Sequence, residues 1–134
     1  MLEKYKKALQ IFKTIRGNYH IDVAICHNNI GCALRAMVRD REAFIHFKEG
    51  TLISSKLPLE GQMAIVSCFR NASIIQETFL DYQSSISYLR KALIMGRRLA
   101  STSDQSFLEM MEDSINLEER SAILRRSNLD DLLF

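Results

Sequence analysis

The sequence predicts an all-α protein made of antiparallel helix pairs, and three observations predict it. The 134 residues hold one proline and no Asn-Gly or Asp-Gly dipeptide, so the punctuation of a β-sandwich or barrel is missing. Apolar residues recur at three- and four-residue spacing, which lays them along one face of a helix. Short segments also repeat along the chain, the mark of an architecture built by adding helical units. The length fits one domain, and 47% apolar with 25% charged residues is the balance of a globular chain.

The first helix is expected over residues 3–16. A second carries Val23, His27, Ile30, Leu34 and Met37 along one side. A third, ending near Ser54-Ser55, would bury Ala43, Phe44, Phe47 and Leu52. Leu57-Pro58-Leu59 breaks the chain, because proline ends a helix and pushes the preceding residue towards extended geometry. The fourth helix runs from about Gln62 to Thr78, with Ala64, Cys68, Ala72 and Ile75 on one face. The fifth runs from Tyr82 to Leu99. Ser106-Phe107-Leu108-Glu109 reads as a capping box, opening a sixth helix with Leu108, Met111, Ile115 and Ala122 on one side.

Three segments align: Tyr5 to Lys13, Asp40 to Lys48, and Tyr82 to Arg90. Each carries a small residue (Ala8, Ala43, Ser85), a large apolar residue four later (Phe12, Phe47, Leu89) and then a base. The small residue permits a close helix crossing, and the bulky one a turn later fills the neighbouring groove. Ala8 and Ala43 are 35 residues apart, and Ala43 and Ser85 are 42 apart. The 42-residue offset continues upstream, where Asn28-Asn29-Ile30-Gly31 falls on Arg70-Asn71-Ala72-Ser73 and His27 falls on Phe69.

These residues resemble a tetratricopeptide repeat (TPR) array. The unit 24–57 supplies His27, Ile30-Gly31, Ala43 and Phe47, and the unit 66–99 supplies Phe69, Ala72-Ser73, Tyr82, Ser85, Leu89 and Ala92. The run from His20 to Gly31 is similar to the kinesin-light-chain-like subtype, whose units are also about 42 residues long. Gly50 stands in place of the last alanine of a second helix, and Ser73 in place of a glycine. The resemblance covers residues 3–100. It implies a helix-pair solenoid of about six helices, two and a half repeats plus a C-terminal helix. Residues 1–103 would form the repeats, and 104–134 an acidic capping helix and tail.

Charge is divided along the chain. Residues 1–103 hold 15 basic and 8 acidic side chains, whereas 104–134 hold 3 basic and 8 acidic ones. Either the two parts attract each other or the basic body prefers acidic partners.

The first helices of such units line a concave groove. Asn29 and Asn71 occupy equivalent positions there, as do Asn28 and Arg70, and Arg35 and Glu77. A carboxamide offers both a donor and an acceptor, so repeated asparagines can hold the backbone of an extended peptide whatever its sequence. Neighbouring arginines would select acidic residues by charge-assisted hydrogen bonds. The resemblance implies the same, since asparagines at these positions contact the bound peptide in kinesin-light-chain-like arrays. The candidate groove is therefore Asn28, Asn29, Arg35, Arg70, Asn71 and Glu77. Its expected occupant is an extended or acidic segment of a partner protein.

No metal-ligand spacing joins His20, His27, His46, Cys26 and Cys32, and no phosphate loop or nucleophile elbow occurs. His27 sits where a large core residue belongs, and Cys26, Cys32 and Cys68 read as small buried residues. The chain is therefore expected to be no enzyme and to carry no cofactor. Arg97-Arg98, Arg125-Arg126 and the N-terminal lysines lack interleaved aromatics for stacking on bases, which argues against nucleic acid. No apolar run is long enough to span a membrane and no secretory leader is visible, and three unpaired cysteines fit a reducing compartment. A cytoplasmic location is expected. The alternative function is a structural subunit of a larger assembly. Residues 3–16 match a second helix with no first helix before them, which would leave Leu9 and Phe12 for a partner or dimer mate to cover.

Overall fold

The computed structural model describes residues 1–58, 63–99 and 105–133, with side chains over 1–58, 66–97 and 109–127. The described residues form six helices and no strand: α1 Leu2–Arg16, α2 Ile21–Ala36, α3 Asp40–Ser55, α4 Met63–Thr78, α5 Tyr82–Leu99 and α6 Gln105–Leu133. The helices α2, α4 and α6 begin at residues 21, 63 and 105, two steps of 42, and α3 and α5 begin at 40 and 82, again 42 apart. The closest neighbours are α2 with α3 and α4 with α5. Looser contacts join α1 to α2, α3 to α4 and α5 to α6, and α2 also touches α4.

Local chemistry explains the boundaries. His20 is extended, and its Nδ1 accepts the Asp22 N–H at 3.1 Å, capping α2. At the start of α5 the Asp81 carboxylate accepts the Ser84 N–H at 3.2 Å. Both turns that follow α2 and α4 are Schellman closures: Arg39 N–H reaches Leu34 O and Val38 N–H reaches Arg35 O, each at 2.9 Å, as Asp81 reaches Gln76 and Leu80 reaches Glu77. Such a closure puts its fifth residue in the left-handed region, where glycine is usual. Here Val38 (φ 59°) and Leu80 (φ 61°) occupy it, 42 residues apart. α3 ends at Ser55, ahead of Pro58.

The helix pairs close on small residues. A Cβ added to Gly31 would lie 2.5 Å from Cε1 of Phe47, so the ring of α3 packs directly on the α2 backbone. At the same register in α4 and α5, Ser73 Oγ donates to Ser85 O at 2.9 Å and Ser85 Oγ donates to Ser73 O at 2.7 Å. One pair thus meets through a ring against a bare backbone, the other through two buried hydroxyls. Around them lie two main apolar clusters. Ile30, Leu34, Ala43, Phe47, Ala72 and Ile75 join α2, α3 and α4; Val66, Phe69, Leu89, Met110 and Leu117 join α4, α5 and α6.

Several sequence expectations are corrected. Met37, just past the last turn of α2, and Leu52 are exposed; Ile53 is buried instead. Cys32 is exposed, while Cys26 and Cys68 are buried. Leu9 and Phe12 are half-buried against Val23, Ala24 and Ile53, so the open apolar face of α1 is Ile11 and Ile15. In α6 the buried face is Met110, Leu117 and Ser121, about 100° round the helix from the expected one, and Met111, Ile115 and Ala122 are exposed. The capping box at 106–109, Leu108, Ala64, Leu59 and the acidic–apolar ending 129–134 lie, wholly or in their side chains, outside the described residues.

Candidate functional site

The candidate residues sit on α2 and α4, on the side that α2, α4 and α6 share. Asn71 Nδ2 donates to Asn28 Oδ1 at 2.8 Å and lies 3.5 Å from Cys32 Sγ. One helix further on, Arg70 pairs with Asp113 at 3.5 Å and Glu109 at 3.8 Å, and Arg120 pairs with Glu77. Asn28 to Asn71, Arg70 to Asp113 and Glu77 to Arg120 are each separated by 43 residues. A polar seam thus crosses α2, α4 and α6 with one register, one residue longer than the spacing of the helix starts. The one-residue slip is why Asn71 bonds to Asn28 and not to its sequence equivalent Asn29.

The sequence thus places the six candidates correctly on α2 and α4 but not their pairing. Asn28, Asn71 and Cys32 come together. Asn29 is half-buried on α2, and its carboxamide has no hydrogen-bond partner among the described residues. Arg35 is exposed one turn beyond Cys32 and makes no ion pair among the described residues; its charge opposes the upward push of burial on the Cys32 thiol. Arg70 and Glu77 are engaged by α6. Arg70 is about one-quarter exposed, at 28%, and its Nε is buried without a partner, so its charge is directed at the chain's own carboxylates. The acidic C-terminal segment and the basic body meet through these pairs and through Arg90 with Glu118 at 3.3 Å.

A second feature lies under α1, between α2 and α3. His27 Nδ1 and His46 Nδ1 are 3.1 Å apart, with ring centroids at 5.3 Å. Phe69 and Tyr88 stand 42 residues later with centroids at 6.4 Å. The sequence reading matched His27 to Phe69; carrying the same offset to His46 and Tyr88 would have exposed the pair. Burial, then His46 and Lys13, lowers the His27 pKa to about 4, and burial with Lys6 lowers that of His46 despite Glu42 and Glu49. One ring donates and the other accepts, so the pair is held neutral. Burial likewise raises the Cys68 thiol to about 12, which makes it a packing group.

A cleft of about 540 Å³ lies between α5 and α6, lined by Ile86, Arg90, Ile94, Glu118 and Arg125 among others. None of the six candidate residues lines it. Among the described residues no cluster of His, Cys, Asp and Glu could hold a metal ion, and no helix is long and apolar enough to cross a membrane. No protein-family model matches the chain, and no curated protein matches its sequence.

Proposed function

We propose that the chain is a non-catalytic protein-interaction module of TPR-like, solenoidal build, which holds an extended segment of a partner protein along the α2–α4 face. The 42-residue spacing of helices, turns and ring pairs supports the helix-pair reading. The observation that carries the functional reading is the Asn28–Asn71 carboxamide pair bridging α2 and α4, with Asn29 and Arg35 beside it. Asn28 keeps its N–H₂ for a peptide carbonyl, Asn71 keeps its carbonyl for a peptide N–H, and Asn29 offers both. Arg35 supplies the cation that selects an acidic side chain, while Arg70 is neutralised by Asp113 and Glu109.

The test is calorimetric titration with a library of extended acidic peptides. The double variant Asn29→Ala/Asn71→Ala should lose capture of every sequence, by about 30- to 150-fold, at roughly 1–1.5 kcal/mol for each of two lost hydrogen bonds. Arg35→Gln should lose only the preference for acidic sequences. Unchanged capture by the double variant, with helicity intact, removes the reading.

A further inference from the structure

We infer that the chain associates head to tail with a second copy of itself, α1 of one copy seating on the exposed face of α6 of the next. The inference is independent of the peptide-binding face. Helix contacts run in chain order, so α1 and α6 lie at opposite ends of the succession. Each presents an apolar stripe: Ile11 (55% exposed) and Ile15 (68%) on α1, Met111 (41%) and Ile115 (58%) on α6.

These stripes hold matching register positions. Met111 and Ile115 stand 42 residues after Phe69 and Ser73, which face Tyr88 and Ser85 of α5, and 84 after His27 and Gly31, which face His46 and Phe47 of α3. On α6 that face is uncovered. Ile11, Ala8 and Ile15 stand 35 residues before His46, Ala43 and Gly50, the α3 positions turned to α2 and the helices beside it. On α1 the Ile11 and Ile15 side is uncovered. Transferring the Phe69–Tyr88 and Ser73–Ser85 contacts of α4 and α5 sets Ile11 opposite Met111 and Ala8 opposite Ile115, a large side chain against a small one. It also sets Lys4 beside Glu118, as Asp81 lies beside Gln76.

Charge favours the same partner. α1 carries five basic and one acidic side chain, α6 three basic and seven acidic. Two α1 faces or two α6 faces would set like charges together; only α1 on α6 pairs opposite charge around apolar stripes. The inner crossings use Gly31, Gly50, Ser73 and Ser85, whereas isoleucine stands at 15 and 115. The contact between copies is therefore wider and weaker than those within the chain. Being heterologous, it does not close on two copies and continues to add.

Sedimentation velocity on the full chain tests this. The wild type should show a mass that rises with concentration past twice that of the chain, and falls with added salt. Ile11→Gln/Ile15→Gln should be monomeric over the same range, as should Met111→Gln/Ile115→Gln; these exposed sites leave far-UV helicity unchanged. An equimolar mixture of the two variants retains one good contact and should stop at the mass of two chains. A wild type monomeric up to about 1 mM, a plateau at two chains, association of either variant alone, or a mixture that stays monomeric would each overturn the inference.

Discussion

The contact between Gly31 and Phe47 makes a quantitative prediction about how the first helix pair closes. A methyl group at Gly31 would meet Cε1, Cδ1 and Cζ of Phe47 at 2.5, 2.7 and 2.9 Å, and Phe47 is fully buried, so the ring has no free space to move into. Gly31→Ala gains about 1 kcal/mol of helix propensity but incurs an overpacking cost of roughly 1–3 kcal/mol, a net loss of about 1 kcal/mol. Phe47→Leu alone empties part of the same space and should cost about 1–2 kcal/mol. Leucine is the residue found 42 positions later, at the buried Leu89. In the double variant the added methyl enters the volume that the ring vacates, and the two costs should largely cancel. The predicted coupling is roughly 1–2 kcal/mol in favour of the double variant. Urea unfolding followed by far-UV circular dichroism on the four proteins measures it. If Gly31→Ala gains its full propensity term and the two changes add within about 0.5 kcal/mol, the close crossing is not as described.

Two further predictions concern the turns and the histidine pair. Val38→Gly and Leu80→Gly should each stabilise the fold by about 0.5–1 kcal/mol, because both remove a left-handed non-glycine residue whose side chain is exposed; calorimetric melting reads the shift. His27 is neutral in the folded chain down to about pH 4 but titrates near 6.5 when unfolded, so the unfolded state binds its proton first. Its contribution is therefore present above about pH 6.5 and is lost as pH falls towards 4, up to roughly 3 kcal/mol, with His46 acting in the same direction. His27→Phe, the residue that stands at 69, should shrink the difference in urea midpoint between pH 7.5 and pH 5; an unchanged difference would place the acid sensitivity elsewhere.

Much of the fold was legible because periodicity and small residues act locally. The α4 and α5 boundaries, the break at Pro58 and the burial of the small residues Ala43 and Ser85 all follow from spacing and side-chain size. The face of α6 was misread because that helix carries apolar residues on two sides: Met110 and Leu117 face α5, while Met111 and Ile115 face outward. Periodicity detects a stripe but cannot say which of two stripes finds a neighbour. The candidate site was legible as a set of positions and not as a set of bonds. Equivalent positions are 42 residues apart, whereas contacting ones across α2, α4 and α6 are 43 apart, and that slip arises from how neighbouring helices settle against each other. For the same reason the sequence reading set Arg70 towards a partner, when its bonds run to Asp113 and Glu109.

Side-chain amide resonances report most directly on the proposed binding face. In a ¹⁵N-labelled sample titrated with an extended acidic peptide, the carboxamide signals of Asn28, Asn29 and Asn71 and the backbone signals around Arg35 should shift together along one saturating curve. Signals that stay fixed at those positions at millimolar peptide, or shifts that gather on another part of the molecule, would contradict the account.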